Sequence, residues 1–163
     1  MESSDILNMS EEEINIKKIL VPIDGSDASL KAAKYAIKAA KCEKAQIICI
    51  HVIPTPENIS EFEGKPFYSL QAYYDELGKS AKPWFEKIIE TCKRMTVSED
   101  DVTTDIVADV SSIADAIINY AANNNTDLIV MGTKGKTGLK RFLIGSVADG
   151  VVRHAHCPVL VVR

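Results

Sequence analysis

The sequence predicts an α/β protein built around an open parallel sheet with helices on both faces. Five short apolar runs recur along the 163 residues, and the segments between them carry apolar residues at three- and four-residue steps. Such alternation is typical of βαβ units, in which helices link parallel strands. The length suits one domain, and 46% apolar with 26% charged residues suits a soluble globular chain.

The first two predicted strands flank an amphipathic helix. Residues 18–23 are almost continuously apolar, as expected of a strand buried on both faces. Ser26 or Asp27 is the candidate N-cap of a helix that ends near Cys42. Its apolar stripe comprises Leu30, Ala33, Ile37 and Ala40. The second predicted strand covers residues 45–53.

A long helical pattern at residues 69–95 contains one proline. Pro83 has no N–H to donate to the carbonyl of Lys79, so we predict either a kink near Lys79 or two helices, the second beginning near Pro83. Residues 55–66, before this pattern, are irregular and are predicted to form a loop at one rim of the sheet. That loop is a candidate surface for a specific partner.

The second half of the chain repeats the alternation with shorter elements. They are a strand at 102–107, a helix at 111–123, a strand at 127–131, a helix at 147–155 and a strand at 158–162. The inward residues of the first of these helices are Ile113, Ile117 and Tyr120. Gly150 inside the second costs about 1 kcal/mol relative to alanine, so we predict close packing against a neighbour there.

Charge and composition exclude several classes of protein. The net charge of −4 argues against broad binding to nucleic acid, which needs a basic face. No run approaches the roughly 18 apolar residues that span a bilayer, so no membrane segment is predicted. Residues 1–15 carry five acidic residues and no Lys or Arg. We expect a flexible acidic arm there and a single domain over residues 16–163.

Cysteine usage and the N-terminus favour a cytoplasmic protein. The start shows no secretory signal, and Cys42, Cys49, Cys92 and Cys157 have no paired or metal-type spacing. His154, His156 and Cys157 cluster together, but residues so close in sequence do not easily all face one ion. No metal site is predicted.

The segment after the fourth predicted strand is the most informative in the chain. It contains Gly132, Gly135 and Gly145, then Ser146, and it carries four basic residues and no acidic one. Glycine lets backbone N–H groups approach an anion, and a helix that begins near Ser146 adds its positive dipole end. A P-loop would need glycine where Val130 stands, and no three-glycine dinucleotide fingerprint follows the first strand. The pattern therefore predicts a polyphosphate site of another type.

Asp24 follows the first predicted strand as the glycine segment follows the fourth. If these strands are neighbours, both features border one crevice at the carboxyl ends of the sheet. A carboxylate there can accept hydrogen bonds from ribose hydroxyls. The alternative is that Asp24 is only a turn or cap residue.

These residues carry a family resemblance. The chain resembles the universal stress protein family along nearly all its length, from KILVPIDGS at residues 18–26 to PVLVV at 158–162. The most specific element is glycine, two residues, glycine, nine residues, glycine and then serine, which falls on Gly132, Gly135, Gly145 and Ser146. The resemblance implies a three-layer, Rossmann-like fold of the adenine nucleotide alpha hydrolase type, with strand order 3-2-1-4-5. It also implies bound ATP with Mg²⁺.

The resemblance further implies a role for individual residues. Asp24 would contact the ribose, and the backbone of Val52 would hydrogen-bond adenine, while His51 beside it is expected to be packed or half-buried rather than catalytic. The residues expected to wall the pocket are Pro22, Ile23 and Met131. Those expected to hold the phosphates are Gly132, Gly135, Gly145, Ser146 and Val147. Ala108 stands where members commonly have glycine after the third strand, so we expect a different turn there.

Three function classes remain open. The leading one is an ATP-binding stress-response switch, which by the resemblance is a homodimer formed along residues 158–162; its downstream partner is unknown. The second is a slow Mg²⁺-dependent ATPase with the same pocket, but no Asp or Glu occurs between Gly132 and Ala148 to act as a base. The third is a scaffold that only dimerises, which explains an apolar edge strand but not the glycine spacing. No catalytic residue is predicted.

Overall fold

The computed structural model describes residues 15–56, 70–110, 112–133 and 144–163. Three predictions fall wholly or mostly outside these residues. They are the acidic arm at 1–15, the loop at 55–66, and Gly135 with its four basic neighbours.

Five parallel strands form one sheet in the order β3-β2-β1-β4-β5. Their bounds are Lys18–Pro22 (β1), Gln46–Pro54 (β2), Val102–Val110 (β3), Leu128–Gly132 (β4) and Val159–Val162 (β5). The predicted α/β class and strand order are confirmed. The apolar run in β1 is buried as predicted, with Ile19, Leu20 and Val21 all fully inaccessible to solvent.

Two helices cover each face of the sheet. Helices α1 (Asp27–Glu43) and α2 (Leu70–Arg94) pack on one face around Ile37, Ile47 and Phe85. Helices α3 (Ile113–Asn123) and α4 (Ser146–His154) pack on the other around Ile50 and Ile117. This division gives the three layers predicted for a parallel sheet. None of the helices in the described ranges is long and apolar enough to cross a membrane.

Local signals in the sequence place the helix starts. Ser26 caps α1, because its hydroxyl accepts from the N–H of Ser29 at 3.2 Å. Ser112 caps α3 in the same way through the N–H of Asp115. Both serines satisfy donors that the first turn of a helix leaves unbonded.

Of the two alternatives predicted for Pro83, a kink or two separate helices, the second is wrong. Helix α2 is continuous from Leu70 to Arg94 and contains Pro83. Its buried face, with Ala81 before the proline and Phe85 and Ile88 after it, packs on the sheet as one surface. Pro83 itself is exposed, so water can bond the carbonyl that its missing N–H leaves free.

Strand β3 is longer than predicted. It continues through Ala108 to Val110, where we expected a turn. The reason is its partner: β2 extends to Pro54, and the pairing passes a register shift between Val52 and Pro54 to join Pro54 with Val110. A β-bulge of this kind lets two strands remain paired beyond an irregularity.

Gly150 in α4 packs closely against α3, as predicted. A β-carbon built on Gly150 would lie 3.0 Å from the β-carbon of Ala114. The small residue therefore lets these two helices approach each other beside the carboxyl end of the sheet.

Candidate functional site

A crevice opens where the strand order reverses, between β1 and β4. The chain proceeds from β1 outward to β3 on one side, and β4 and β5 lie on the other side of β1. The pairing of β1 with β4 extends only to Leu20 and Ile129. Pro22, the last residue of β1, has no N–H with which to continue it. The strands therefore separate at the position where open α/β sheets bind ligands.

This crevice leads into a cavity of about 290 Å³. Nine of the ten residues predicted to bind the nucleotide line it; they are Pro22, Ile23, Asp24, Val52, Met131, Gly132, Gly145, Ser146 and Val147. The tenth, Gly135, lies outside the described residues. Residues from four separate segments of the chain thus meet at one site.

Six further residues line the same cavity without having been assigned to it. They are Ser29, His51, Ile113, Ile117, Thr133 and Ala148. The sequence marked Ile113 and Ile117 only as inward residues of a helix, and nothing in a helical pattern separates the wall of a pocket from the core. The sequence did offer a signal for Thr133 as a site residue, because Thr133 directly follows the fourth strand.

Asp24 is held in a tight turn by Ser26. The backbone N–H and the hydroxyl of Ser26 both donate to Oδ1 of Asp24, at 2.9 and 2.6 Å. Asp24 therefore does have the turn role considered for it, but the two bonds from Ser26 leave acceptor positions on its carboxylate. An ionised carboxylate offers about four lone-pair positions, so it can still accept bonds from a ligand.

The charge of Asp24 is stabilised where it stands. Burial raises the pKa of this carboxyl, but the bonds from Ser26 and Ser29 outweigh burial and hold the pKa below its ordinary value of 3.8. Because the native pKa is the lower one, the stability that ionised Asp24 contributes is complete above pH 3.8 and is lost as the pH falls through the native value. Asp24 is thus an acceptor, and not a proton donor, at neutral pH.

The start of α1 packs directly against Gly132, the last residue of β4. A β-carbon built on Gly132 would lie 2.8 Å from the carbonyl carbon of Ala28 and 2.9 Å from the nitrogen of Ser29. Glycine is therefore required at 132 by the packing of α1 as well as by any close approach of a ligand. Gly132 ends β4 with the start of α1 directly against it.

The start of α4 lines the cavity and has backbone donors without an intrahelical partner. Its N-cap, Gly145, has no side chain with which to cap the helix. The N–H groups of the first turn, those of Ser146 and Val147 among them, have no intrahelical acceptor. The helix dipole adds partial positive charge at this position. Helix start and cavity together can therefore accept an anion.

The base of the glycine segment is closed by backbone hydrogen bonds. Thr133 donates its N–H to Val162 at 2.8 Å, and Gly145 donates to the carbonyl of Thr133 at 2.8 Å. The two ends of the segment are thus fixed to β5 and to each other.

Strand β2 passes beyond the end of β1 on the opposite side. The last paired residues are Pro22 and Ile50, so Val52 lies past the end of its neighbour. The carbonyl of Ile50 accepts from Ile23 and so faces β1. Polar groups two residues apart in a strand face the same way, and those of Val52 therefore face the cavity.

No metal centre is formed by protein side chains alone in the described ranges. Within them, no group of three or more His, Cys, Asp or Glu side chains is placed to hold an ion. His154 and His156 are exposed.

Comparison with known proteins identifies the family. The model of the universal stress protein family matches residues 15–163. The chain belongs to the universal stress protein family. Among curated universal stress proteins, MJ0531 of Methanocaldococcus jannaschii is 40% identical over 148 residues, which cover 90% of this chain and 82% of that protein.

Solved universal stress proteins share the architecture. UspA from Lactobacillus plantarum is 27% identical, with a TM-score of 0.74 over 91% of this chain and 99% of that one. A universal stress protein solved in complex with cAMP is 24% identical, with a TM-score of 0.67 over 91% and 97% of the two chains. One from Archaeoglobus fulgidus, solved with dAMP, is 19% identical, with a TM-score of 0.64 over 92% and 99%. At these last two identities the likeness shows the fold alone.

Proposed function

We propose that this universal stress protein binds ATP and acts in the cytoplasm as a stress-response switch whose conformation or partner depends on nucleotide occupancy. The observation that carries the proposal is the convergence at one cavity of three chemically distinct groups. These are the backbone of Val52 that faces the cavity, the carboxylate of Asp24 and the start of α4, whose N-cap Gly145 has no side chain. In that order they suit a base, a ribose and a chain of phosphates.

The adenosine part would occupy the described cavity. Val52 offers a backbone N–H and a backbone carbonyl side by side, which complement the acceptor N1 and the donor N6 of adenine. The walls beside it are apolar, with Ile113, Ile117 and Met131 contributing. Asp24, anionic at neutral pH, would accept from the ribose hydroxyls. A volume of about 290 Å³ suits a nucleoside.

The phosphates would extend from the ribose toward the start of α4. The N–H groups of Ser146 and Val147 and the dipole of that helix favour negative charge there. Gly135 and the basic residues between Gly132 and Gly145 would approach the outer phosphates. The local positive charge on an otherwise acidic protein would attract the triphosphate.

Mg²⁺ would arrive with the triphosphate rather than occupy a site of its own. Mg²⁺ commonly takes one or two protein oxygens together with phosphate oxygens and water. Thr133 and Ser146 line the cavity, and their hydroxyls would supply such oxygens. They suit a metal ion that the nucleotide already holds. Such an ion would be useful because it neutralises the charge of the phosphates.

A switch is favoured over an ATPase by the groups available as a base. Asp24 is the one carboxylate among the described residues that line the cavity, and its lowered pKa makes it a weak base. Hydrolysis needs a group that orients or deprotonates water. Slow Mg²⁺-dependent ATP hydrolysis remains the alternative outcome of the test below.

Other proteins with this fold have also been solved with adenine nucleotides bound. Two of the solved structures named above hold cAMP and dAMP. Their identities to this chain are too low to transfer a ligand, so they support the choice of an adenine nucleotide only as analogy. The residues of this chain carry the proposal.

A homodimer through β5 is part of the proposed function. Strand β5 lies at the edge of the sheet, and Leu160 on it is 42% exposed while Val152 on the neighbouring α4 is 47% exposed. An apolar edge strand is a ready surface for pairing with a second copy. Sedimentation of the purified protein would report the dimer.

The purified protein is expected to release adenine nucleotide when it is denatured. Chromatography of the released fraction identifies the nucleotide, and added Mg-ATP should raise the unfolding temperature, because a ligand that binds only the native state stabilises it. Recovery of ATP would favour the switch. ADP together with phosphate release that depends on added protein would favour the ATPase. Neither released nucleotide nor a thermal shift with Mg-ATP would contradict the proposal.

A further inference from the structure

His51 bonds the carbonyl at which the β1–β2 ladder stops. Its Nδ1 lies 2.7 Å from the carbonyl oxygen of Ile23. A carbonyl oxygen only accepts, so Nδ1 carries the proton and donates. The N–H of Ile23 donates to the carbonyl of Ile50 at 2.7 Å. Residues of β2 therefore hold both backbone polar groups of Ile23, the residue directly before Asp24.

A regular ladder would use the Ile23 carbonyl differently. With Pro22 paired to Ile50, the next donor along β2 would be the N–H of Val52, and its acceptor would be the carbonyl of Ile23. Within the described ranges no backbone hydrogen bond joins Val52 to Ile23. The imidazole of His51 donates to the carbonyl of Ile23 instead. Val52 lines the cavity.

Trp84 of α2 packs against the imidazole of His51. The indole meets the His51 ring edge to face, with centroids 5.3 Å apart and an interplanar angle of 81°. Such pairs are favourable beyond the area they bury. The same indole lies against Gly25. The Trp84 side chain therefore contacts both the imidazole and the turn that carries Asp24.

We propose that His51 is a positioning residue of the nucleotide site. By holding the carbonyl of Ile23 it keeps the β1–β2 ladder from closing at Val52, and the backbone of Val52 stays available to the edge of the base. The inference rests on the proposed function for the identity of the ligand. Its structural half concerns the free protein and can be tested without any nucleotide.

Amide hydrogen exchange tests the structural half residue by residue. In the wild-type protein we expect the amide of Val52 to exchange about tenfold or more faster than that of Ile50, which lies within the ladder. In His51→Leu the carbonyl of Ile23 becomes available and the amide of Val52 should become protected. His51→Asn places an amide N–H near the position of Nδ1 and should keep the exchange of Val52 close to the wild-type rate. A wild-type Val52 amide as protected as that of Ile50 overturns the inference, whether or not a nucleotide binds.

Two ligands separate positioning of the base from a general effect on the fold. Mg-ATP has a base, whereas Mg-tripolyphosphate has only the phosphates. We expect His51→Leu to weaken Mg-ATP about tenfold, as for the loss of one buried hydrogen bond, and to leave Mg-tripolyphosphate unchanged. His51→Asn should restore Mg-ATP binding to within about threefold of wild type.

Control variants fix the interpretation of these affinities. His156→Leu removes an exposed histidine outside the cavity and should change neither ligand. If His51→Leu unfolds, His51→Gln replaces it, because that longer amide reaches beyond the position of Nδ1. Equal weakening of both ligands, or Mg-ATP binding at the wild-type level in His51→Leu, overturns the inference. Absence of Mg-ATP binding in the wild type would instead defeat the proposed function, and amide exchange alone would then decide the role of His51.

Discussion

Replacing Asp24 with alanine is expected to weaken Mg-ATP binding by about 10- to 150-fold, the range for losing hydrogen bonds to a charged group. Asp24 lines the cavity at the end of β1, and the lowered pKa keeps it anionic at any pH used for binding. It is the group proposed to accept from the ribose. Isothermal titration calorimetry of both proteins with Mg-ATP measures the ratio.

Two matched variants separate the ligand contact from the turn. Asp24→Asn keeps an oxygen that can accept the two bonds from Ser26, so it should lose affinity with little change in unfolding temperature. Ser26→Ala removes the cap of α1 and should cost about 1 kcal/mol of stability, with a smaller effect on affinity than Asp24→Ala. Wild-type affinity in both Asp24 variants would leave Asp24 as a turn residue alone.

Replacing Gly25 with alanine is expected to destabilise the fold by about 2 to 5 kcal/mol. Gly25 has a φ of +80°, which costs a residue with a β-carbon about 1–2 kcal/mol. That β-carbon would also lie 2.3 Å from two ring atoms of Trp84, and overpacking of this kind costs about 1–3 kcal/mol. Urea unfolding followed by circular dichroism measures the change. Fluorescence is unsuitable for the series, because Trp84 is the one tryptophan in the sequence.

The contribution of the clash can be isolated with a second substitution. In a Trp84→Leu background the ring is gone, so Gly25→Ala should cost only the backbone term of about 1–2 kcal/mol. Gly78→Ala is the matched control: the nearest atom to a β-carbon there is 3.7 Å away, and alanine inside α2 should stabilise by about 0.5–1 kcal/mol. An equal cost of Gly25→Ala in both backgrounds would show that the packing of Trp84 does not require this glycine.

Local signals predicted the elements of this fold well. The apolar runs placed all five strands, Ser26 was a correct cap candidate, and the close packing of Gly150 followed from the cost of glycine in a helix. The strand order did not follow from periodicity, because periodicity describes each segment separately. It came from the resemblance to the universal stress protein family.

The errors arose where tertiary packing overrides a local signal. Pro83 predicts a kink or two helices when considered alone, and the second alternative fails because the apolar face on either side of Pro83 packs on one sheet and keeps α2 continuous. Ala108 was expected in a turn, yet the length of β2 keeps β3 paired to Val110. In both cases the deciding partner is far away in the sequence.

The candidate site was predictable where function constrains the residue type. Glycines and Asp24 at strand ends stand out in the sequence, but Ile113 and Ile117 look like any core residues. His51 was expected to be only packed or half-buried. Its bond to the carbonyl of Ile23 depends on the register of β1 against β2, which no local pattern contains. Gly132 had a second reason to be glycine, the start of α1, that the sequence did not suggest.

A crystal structure of the protein grown with Mg-ATP tests the central claim most directly. The proposal predicts the adenine edge within hydrogen-bonding distance of the backbone of Val52, the ribose hydroxyls at Asp24, and the phosphates at the N–H groups of Ser146 and Val147. A saturated crystal in which the cavity between β1 and β4 holds no nucleotide, or in which the phosphates lie away from the start of α4, would contradict it.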